Sequence, residues 1–236
     1  MSTTIRTQII AGFYVRAGEI LTTAGFETNI GQNAYQGKAV GKNLPGVAVG
    51  PGREDSEKDN ATVENTMEVT VSGFVAYGAS DPTVVSEQIL ADLIEAFTGT
   101  EWTLTFSGGS EEVEVGDTVT GATSGATGYV ADVDLTSGSW LGGDAAGTLT
   151  IRRASGDIQG GFTSGEVISE AGEASEITAI SAENAETVVT GGLATSIVYK
   201  SGGAEEYPDG GQTVAGSAAT FEVVYRTKAG NPYAQA

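Results

Sequence analysis

The sequence predicts an α+β protein: a small mixed or antiparallel sheet packed by two helices, interrupted by an inserted all-β barrel or sandwich. Helix and strand patterns run to about residue 100, and strand patterns resume near residue 186. Residues 101–184 hold fourteen acidic and two basic side chains with fifteen glycines, and they lack helical periodicity. We therefore expect a discontinuous α+β domain (1–100 and 186–236) and an inserted acidic all-β domain (101–185).

Composition narrows the classes of function. The chain has no cysteine and no histidine, which excludes the common zinc sites and the bases of Ser-His and Cys-His catalysis. We expect no metal and no cofactor. The net charge of −20 opposes binding to nucleic-acid phosphates, and its simplest explanation is solubility. Arg6, Gln8, Arg16 and Glu19 interrupt the apolar N-terminal residues, so we expect neither a signal peptide nor a membrane span.

The first helix is predicted by apolar residues at three- and four-residue spacing. Ser2, Thr3 or Thr4 can cap it, and Gly25 stands where a left-handed C-terminal cap belongs. The apolar positions are Ile5, Ile9, Phe13, Ala17, Ile20, Leu21 and Ala24. This spacing predicts a core helix that ends near residue 24.

Strand patterns follow at 39–50 and, more clearly, at 67–77, where apolar and polar residues alternate. The stretch between them, 51–65, is almost wholly polar and is long for a hairpin loop. It is either a solvated mobile loop or an arm that reaches a neighbouring subunit.

A second helix is predicted from Asp81 as cap and Pro82 at the first helical position. Its apolar face follows at four-residue spacing, and its solvent face is marked by three acids. The apolar residues are Val85, Ile89, Leu93 and Phe97, and the acids are Glu87, Asp92 and Glu95. We expect the helix to pack on the sheet beside the first helix.

The closing segments 194–200 and 219–226 predict two strands that pair as a hairpin. In the second strand, Phe221, Val223 and Tyr225 share one face. The connection 201–217 contains five glycines and predicts a flexible, protruding loop.

In the insert, short strands near 103–106, 114–122, 128–134, 147–151 and 166–169 alternate with glycine-rich turns. This texture is typical of a small barrel or sandwich. Trp102, Tyr129, Trp140 and Phe162 could form a sugar-binding platform, but we favour core packing. Asp132 and its neighbours resemble a calcium loop only superficially, since Gly143 stands where the bidentate glutamate belongs.

Three closing motifs resemble the closing part of bacteriophage tail terminator proteins. They are Gly191-Gly-Leu-Ala-Thr-Ser-Ile-Val-Tyr, Glu206-Tyr-Pro-Asp-Gly-Gly-Gln and Phe221-Glu-Val-Val-Tyr-Arg-Thr-Lys-Ala-Gly-Asn-Pro-Tyr. The order of elements in the front half is similar too, so the resemblance covers about 1–100 and 186–236. The insert is similar to small β modules of phage virion proteins, for example at Val115-Gly-Asp-Thr-Val-Thr-Gly-Ala.

The resemblance implies a structural virion protein of the tail or neck, assembled in the host cytoplasm and not an enzyme. It implies a homo-oligomeric ring, typically a hexamer, that caps the tail tube, stops its polymerisation and joins the tail to a head-completion or connector protein. DNA would pass through the lumen without specific binding. The predicted subunit or partner interface comprises Arg53, Glu54, Asp55, Glu57, Lys58, Asp59, Glu205, Glu206, Asp209, Arg226 and Lys228.

Two other classes stay open. The chain could be another neck or tail-tube subunit of the same particle. A carboxylate-based glycan hydrolase or glycan-binding protein is a different class, because thirty-one acids leave many possible carboxylate pairs. No pattern singles out such a pair.

Overall fold

The computed structural model describes residues 3–37, 43–76, 78, 80–99, 101–153, 161–170, 176–179, 184–186, 192–205 and 214–236. The chain forms two compact units. The α+β unit comprises Met1–Thr22, Phe26–Gly99 and Val188–Ala236, and the barrel unit comprises Thr23–Gly25 and Thr100–Thr187. The fold is α+β with a barrel insertion, as the sequence predicts.

The α+β unit contains two helices and a six-stranded mixed sheet. Its elements are α1 (Ile5–Gly18), β1 (Ala34–Gln36), β2 (Gly46–Asp59), β3 (Thr62–Ala76), α2 (Pro82–Thr98), β11 (Ala194–Ala204), β12 (Val214–Lys228) and β13 (Asn231–Gln235). The strand order is β1-β2-β3-β12-β11, and β13 pairs with β12 beyond the end of β11. Only the pairing of β1 with β2 is parallel within this described sheet.

Helix α1 starts as predicted but ends earlier. Thr4 is the cap, and its Oγ1 accepts a hydrogen bond from the N–H of Thr7. The helix ends at Gly18, whereas the sequence predicts an end near residue 24. The apolar spacing continues past Gly18 because Ile20, which lies in the segment after the helix, is also fully buried. Gly25 has a left-handed φ of 84°, but it follows a 3-10 turn at Thr22–Ala24 and not the α-helix.

The prediction of a polar loop at 51–65 is wrong. Strand β2 runs through Asp59 and pairs with β3 in an antiparallel hairpin from Gly46 opposite Phe74 to Asp59 opposite Thr62. The chain reverses at Asn60, whose φ of 51° suits asparagine in a tight turn. The earlier strand pattern at 39–50 corresponds to the start of β2 at Gly46, and residues 38–42 lie outside the described part of the chain.

Helix α2 carries the aromatic core of the unit. Phe97 stacks on Phe13 of α1 with ring centroids 4.8 Å apart, and both rings meet Phe221 of β12 at 5.2 and 6.1 Å. All three rings are buried. A Cβ on Gly73 of β3 would lie 2.7 Å from side-chain atoms of Ile30 and Ile89, so this glycine is needed for the close packing on the sheet.

Two buried polar side chains fix α1 and α2. The guanidinium of Arg16 donates from Nε to the carbonyl of Ala96 at 2.9 Å, in the last turn of α2. Asp92, predicted on the solvent face, is only 1% exposed. Its carboxylate accepts from the N–H of Glu27 at 2.9 Å, from the N–H of Thr28 at 2.8 Å and from the Thr28 hydroxyl at 2.6 Å. Burial raises the pKa of Asp92, although these hydrogen bonds act to lower it.

The closing hairpin is confirmed, with β11 and β12 antiparallel and Phe221, Val223 and Tyr225 buried on one face. The predicted loop at 201–217 is shorter than expected. Ser201 to Ala204 pair with Thr220 to Ser217, because both strands continue into the glycine-rich connection. Residues 206–213 lie outside the described chain.

The barrel unit is built from short antiparallel strands. They are β4 (Glu101–Gly109), β5 (Thr118–Gly121), β6 (Thr127–Ser137), β7 (Ala145–Arg153), β8 (Val167–Glu170), β9 (Glu176–Ala179) and β10 (Asn184–Glu186). Six of them form a closed barrel in the order β4-β7-β6-β5-β8-β9, with β9 returning to β4. Strand β10 pairs with the start of β4. The sequence predicts the first five strands approximately but misses β9 and β10, which are short.

The barrel core is apolar and closes around Leu104, Phe106, Leu149, Ile151 and Ile168. The carboxylate of Glu166 connects two turns of the barrel unit, one at Thr123 and Ser124 and one at Thr163. Glu166 accepts from the N–H groups of Thr123, Ser124 and Thr163 and from the hydroxyl of Ser124. Burial acts to raise the pKa of Glu166, but the hydrogen bonds outweigh it and lower the pKa.

We expect Asp92→Asn to lower the free energy of unfolding of the α+β unit by about 1–3 kcal/mol, since an amide cannot accept from all three donors. Urea denaturation followed by far-UV circular dichroism measures this change. Glu87→Gln, an exposed change on the same helix, is the matched control and should alter the stability by less than about 0.5 kcal/mol. An Asp92→Asn variant as stable as the control would contradict the role assigned to this carboxylate.

A second prediction concerns pH. The pKa of Glu166 is lower in the folded chain than its ordinary value of 4.5, so its ionised form stabilises the barrel above that pH. The contribution is lost as pH falls through the folded pKa. Both tryptophans, Trp102 and Trp140, lie in the barrel unit, so their fluorescence reports its unfolding. We expect Glu166→Gln to destabilise the barrel at pH 7 by about 1–3 kcal/mol, and the difference from wild type to shrink below pH 4.5. A difference that is independent of pH would rule out the charge as its source.

Candidate interaction surface

The β2–β3 hairpin carries most of the predicted interface. We call residues 51–66 of this hairpin the ribbon. From Pro51 to Asp59, every residue except Glu54 is exposed. Strand β1 pairs only with Val47 to Val49, so no strand of the described chain flanks the outer half of β2 on its free side. The β2 half of the ribbon is therefore exposed on both faces, whereas its β3 half, Thr62–Thr66, pairs with β12 and includes the buried Asn65.

The predicted interface residues divide into two groups. Arg53, Glu54, Asp55, Glu57, Lys58 and Asp59 lie on β2, and Arg226 and Lys228 lie at the end of β12, opposite Glu64 and Thr62 of the ribbon. These eight residues lie at one end of the sheet. Glu205 lies at the opposite end, where its N–H donates to the carbonyl of Gly216. Glu206 and Asp209 lie outside the described residues.

The ion pairs on the ribbon are exposed. Arg53 pairs with Asp55 at 2.7 Å and Arg226 pairs with Glu64 at 2.8 Å, and all four side chains are well exposed. Surface pairs of this kind contribute about 0–1 kcal/mol each. Glu57 lies directly opposite Glu64 across the hairpin, where like charges repel. The charges of the ribbon therefore contribute little to folding and remain accessible to a partner.

A partly buried polar contact anchors the base of the ribbon at a bulge between Pro51 and Glu54. The hydroxyl of Tyr225 donates to Oε2 of Glu54 at 2.6 Å, and Arg6 pairs with the same oxygen at 3.0 Å. Arg6 also donates to the carbonyl of Gly52 at 3.1 Å. Burial and the Glu54 carboxylate raise the pKa of Tyr225, so this hydroxyl keeps its proton at neutral pH. No sequence signal links Arg6 to Glu54, which are far apart in the chain.

The face of the sheet opposite the helices is polar. The hydroxyls of Thr70 and Thr220 lie 3.2 Å apart across β3 and β12. Glu68 lies opposite Glu222, which pairs with Lys200 of β11 at 2.9 Å. No helix or sheet of the described α+β unit covers this face. The hydroxyl and carboxylate side chains on this face offer hydrogen-bonding groups.

One open pocket of about 310 Å³ lies near the buried Asp92 contact. Glu27, Thr28, Asn29, Pro45 and Gln88 are among its lining residues. Among the described residues that line the pocket, Glu27 alone is ionisable, so they include no pair of titratable groups that would indicate general acid–base chemistry. Within the described ranges, no group of three or more acidic side chains is arranged to hold a metal ion.

The aromatic residues of the insert do not form one surface platform. Phe162 is buried, and Trp140 stacks on Phe106 of the core with centroids 5.4 Å apart. Gly109 leaves room for the Trp140 ring, which a Cβ at that position would overlap. Asp132 lies on strand β6 opposite Thr150, so the first half of the segment that resembles a calcium loop, up to Ser137, is part of a strand.

None of the helices in the described part of the chain combines the length and the apolar character that crossing a membrane requires.

We expect Tyr225→Phe to loosen the base of the ribbon, since it removes the hydroxyl that holds Glu54. The expected loss of stability is about 1 kcal/mol, with faster amide hydrogen exchange at residues 54–59. Hydrogen exchange read by mass spectrometry measures this directly. Tyr233→Phe, at an exposed tyrosine of β13, is the matched control. Unchanged exchange in the ribbon would show that the bulge holds without the tyrosine.

No protein-family model matches this chain, and no curated protein matches it.

Proposed function

We propose that this chain is a bacteriophage tail terminator. It forms a homo-oligomeric ring, most simply a hexamer, on the head-proximal end of the tail tube. The observation that carries the proposal is the resemblance of residues 191–199, 206–212 and 221–233 to the closing part of that family. The exposed β2 strand of the ribbon is compatible with a subunit that contacts several neighbours.

The proposed action is steric. One side of the ring presents the same kind of binding surface as a tube subunit, and with it the ring binds the last ring of the tube. The other side lacks the contacts that recruit a further ring, and it binds a head-completion or connector protein instead. Head-to-tail interfaces close into a ring when their rotation closes. The ribbon, with Arg226 and Lys228 beside it, supplies the exposed charges for these contacts.

The acidic charge fits a conduit for DNA. A lining that repels phosphate leaves the duplex free to move. It makes none of the Lys and Arg contacts to phosphate that release counterions and hold DNA in place. Residues 101–184 account for −12 of the net charge of −20, so the rest of the chain, with seventeen acids against nine bases, contributes −8. Glu68 and Glu222 on the uncovered sheet face are acids of the α+β unit that such a lining could use. The barrel unit then decorates the ring.

The test is to block expression of this chain in its producing phage and to measure tail lengths by electron microscopy. We expect overlong tails that are not attached to filled heads, because polymerisation no longer stops and the joint is missing. Supplying the wild-type chain from a plasmid should restore both tail length and attachment, which excludes an effect on neighbouring genes.

Other outcomes separate the alternatives. Absence of tails altogether would assign the chain to the tube, and normal-length tails that fail to join heads would assign it to head closure. Normal virions would remove it from assembly. In that case, assays of glycan binding and hydrolysis would test the remaining class.

A further inference from the structure

The sheet of the α+β unit has two open edges. At one end of the strand order, no described strand pairs with Thr195–Ala204 of β11 on the side away from β12. At the other end, no described strand pairs with Glu54–Asp59 of β2 on the side away from β3. A strand edge presents unpaired N–H and C=O groups, which readily take up another strand.

The two edges differ in charge. Thr195–Ala204 contains no acid and one base, Lys200. Residues 53–59 of β2 contain the acids Glu54, Asp55, Glu57 and Asp59 against Arg53 and Lys58, so this segment is net negative. The β11 edge is weakly basic and rich in β-branched and small residues, and Val198 on it is 45% exposed.

These charges rank the ways in which two copies could pair. Two β2 edges would oppose two segments that are each net negative, with four acids against two bases, and two β11 edges would bring Lys200 of one copy to the same joint as Lys200 of the other. A β11 edge against a β2 edge instead places Lys200 near the acids of the ribbon. Charges on an edge oppose pairing with a like edge and favour one of opposite sign.

We infer that β11 of one copy pairs with the outer half of β2 of a second copy of this chain. A foreign strand could cover one of the two edges, but another copy covers both with complementary charge. This inference rests on the proposed ring and specifies its joint. The contact is head-to-tail, so each copy uses its two edges on two different neighbours, and the sheets join into one continuous sheet around the ring.

Side chains on the joined strands have known faces. Val198 lies opposite Glu222 on β12, and Glu57 lies opposite Glu64 on β3. Glu222 and Glu64 are both on the sheet face away from the helices, since they alternate with the buried Val223 and Met67 faces of their strands. Cysteines at 198 and 57 would therefore project from the same face of the joined sheet.

The chain has no native cysteine, which makes disulfide trapping specific. We would make Val198→Cys combined in turn with Asp55→Cys, Glu57→Cys or Asp59→Cys in the full chain, because the pairing register is open. Each double variant would be oxidised at high protein concentration and run on a non-reducing gel. The ionic strength would be about 0.15 M, where charges farther apart than about 8 Å are screened.

We expect at least one double variant to give a ladder of dimers, trimers and larger species that reducing agent removes. Each single-cysteine variant alone should stay monomeric. A mixture of the Val198→Cys chain and the matching β2 variant should give only the mixed dimer. Lys200→Glu added to the active pair should reduce the yield of the ladder, and Val198→Cys with Glu87→Cys on the exposed side of α2 should give none.

Three results would overturn the inference. A Val198→Cys single variant that forms dimers as readily as the mixture would show twofold pairing of β11 edges. Equal ladders with the Glu87→Cys control would indicate collisions, and no ladder in any register would exclude edge pairing. Each of these leaves tail termination to be judged separately by the tail lengths of the depleted phage.

Discussion

Phe13 of α1, Phe97 of α2 and Phe221 of β12 meet in one cluster, and the α+β unit depends on it. Aromatic pairs at these distances contribute about 0.5–1.5 kcal/mol beyond their buried area. The cluster joins both helices to one face of a central strand. The helices thus occupy a single face, which leaves the opposite face and the strand edges for other contacts.

Polar contacts then fix what the aromatic cluster brings together. Arg16 satisfies a carbonyl in the last turn of α2, and Asp92 binds the backbone at Glu27 and Thr28. At the far end of the sheet, Tyr225 and Arg6 hold Glu54 at the bulge. Buried groups of this kind are costly when unpaired, so they select one arrangement of the elements. Tyr225, a buried residue of β12, thus holds the β2 strand where the ribbon begins.

Local signals explain which elements the sequence predicts well. Asp81 and Pro82 start α2, and its apolar spacing is carried by residues that are buried in the fold. Met67, Val69 and Val71 alternate on β3 because only one face meets the helices. The sequence does not reveal the β2 half of the ribbon, because residues 51–59 are largely exposed and show no apolar alternation. Their strand conformation depends on pairing with β3. The sequence predicts Asp92 on the solvent face because its hydrogen-bond donors, at Glu27 and Thr28, lie on a distant segment of the chain and leave no local pattern. The interface residues are predicted from the resemblance and from their charge. Arg6 and Tyr225, which hold Glu54 in place, show no sequence pattern that would predict this contact.

The pairing of β10 with β4 brings together the two ends of the inserted unit. Glu186 lies directly opposite Glu101, so the barrel begins and ends on neighbouring strands. Opposed residues of an antiparallel pair have Cα atoms about 4.5–5.5 Å apart. The two ends of the inserted unit therefore lie close together. A module with such adjacent ends can be acquired, lost or exchanged in evolution without cutting a strand of its host, and the same place is suited to grafting another domain.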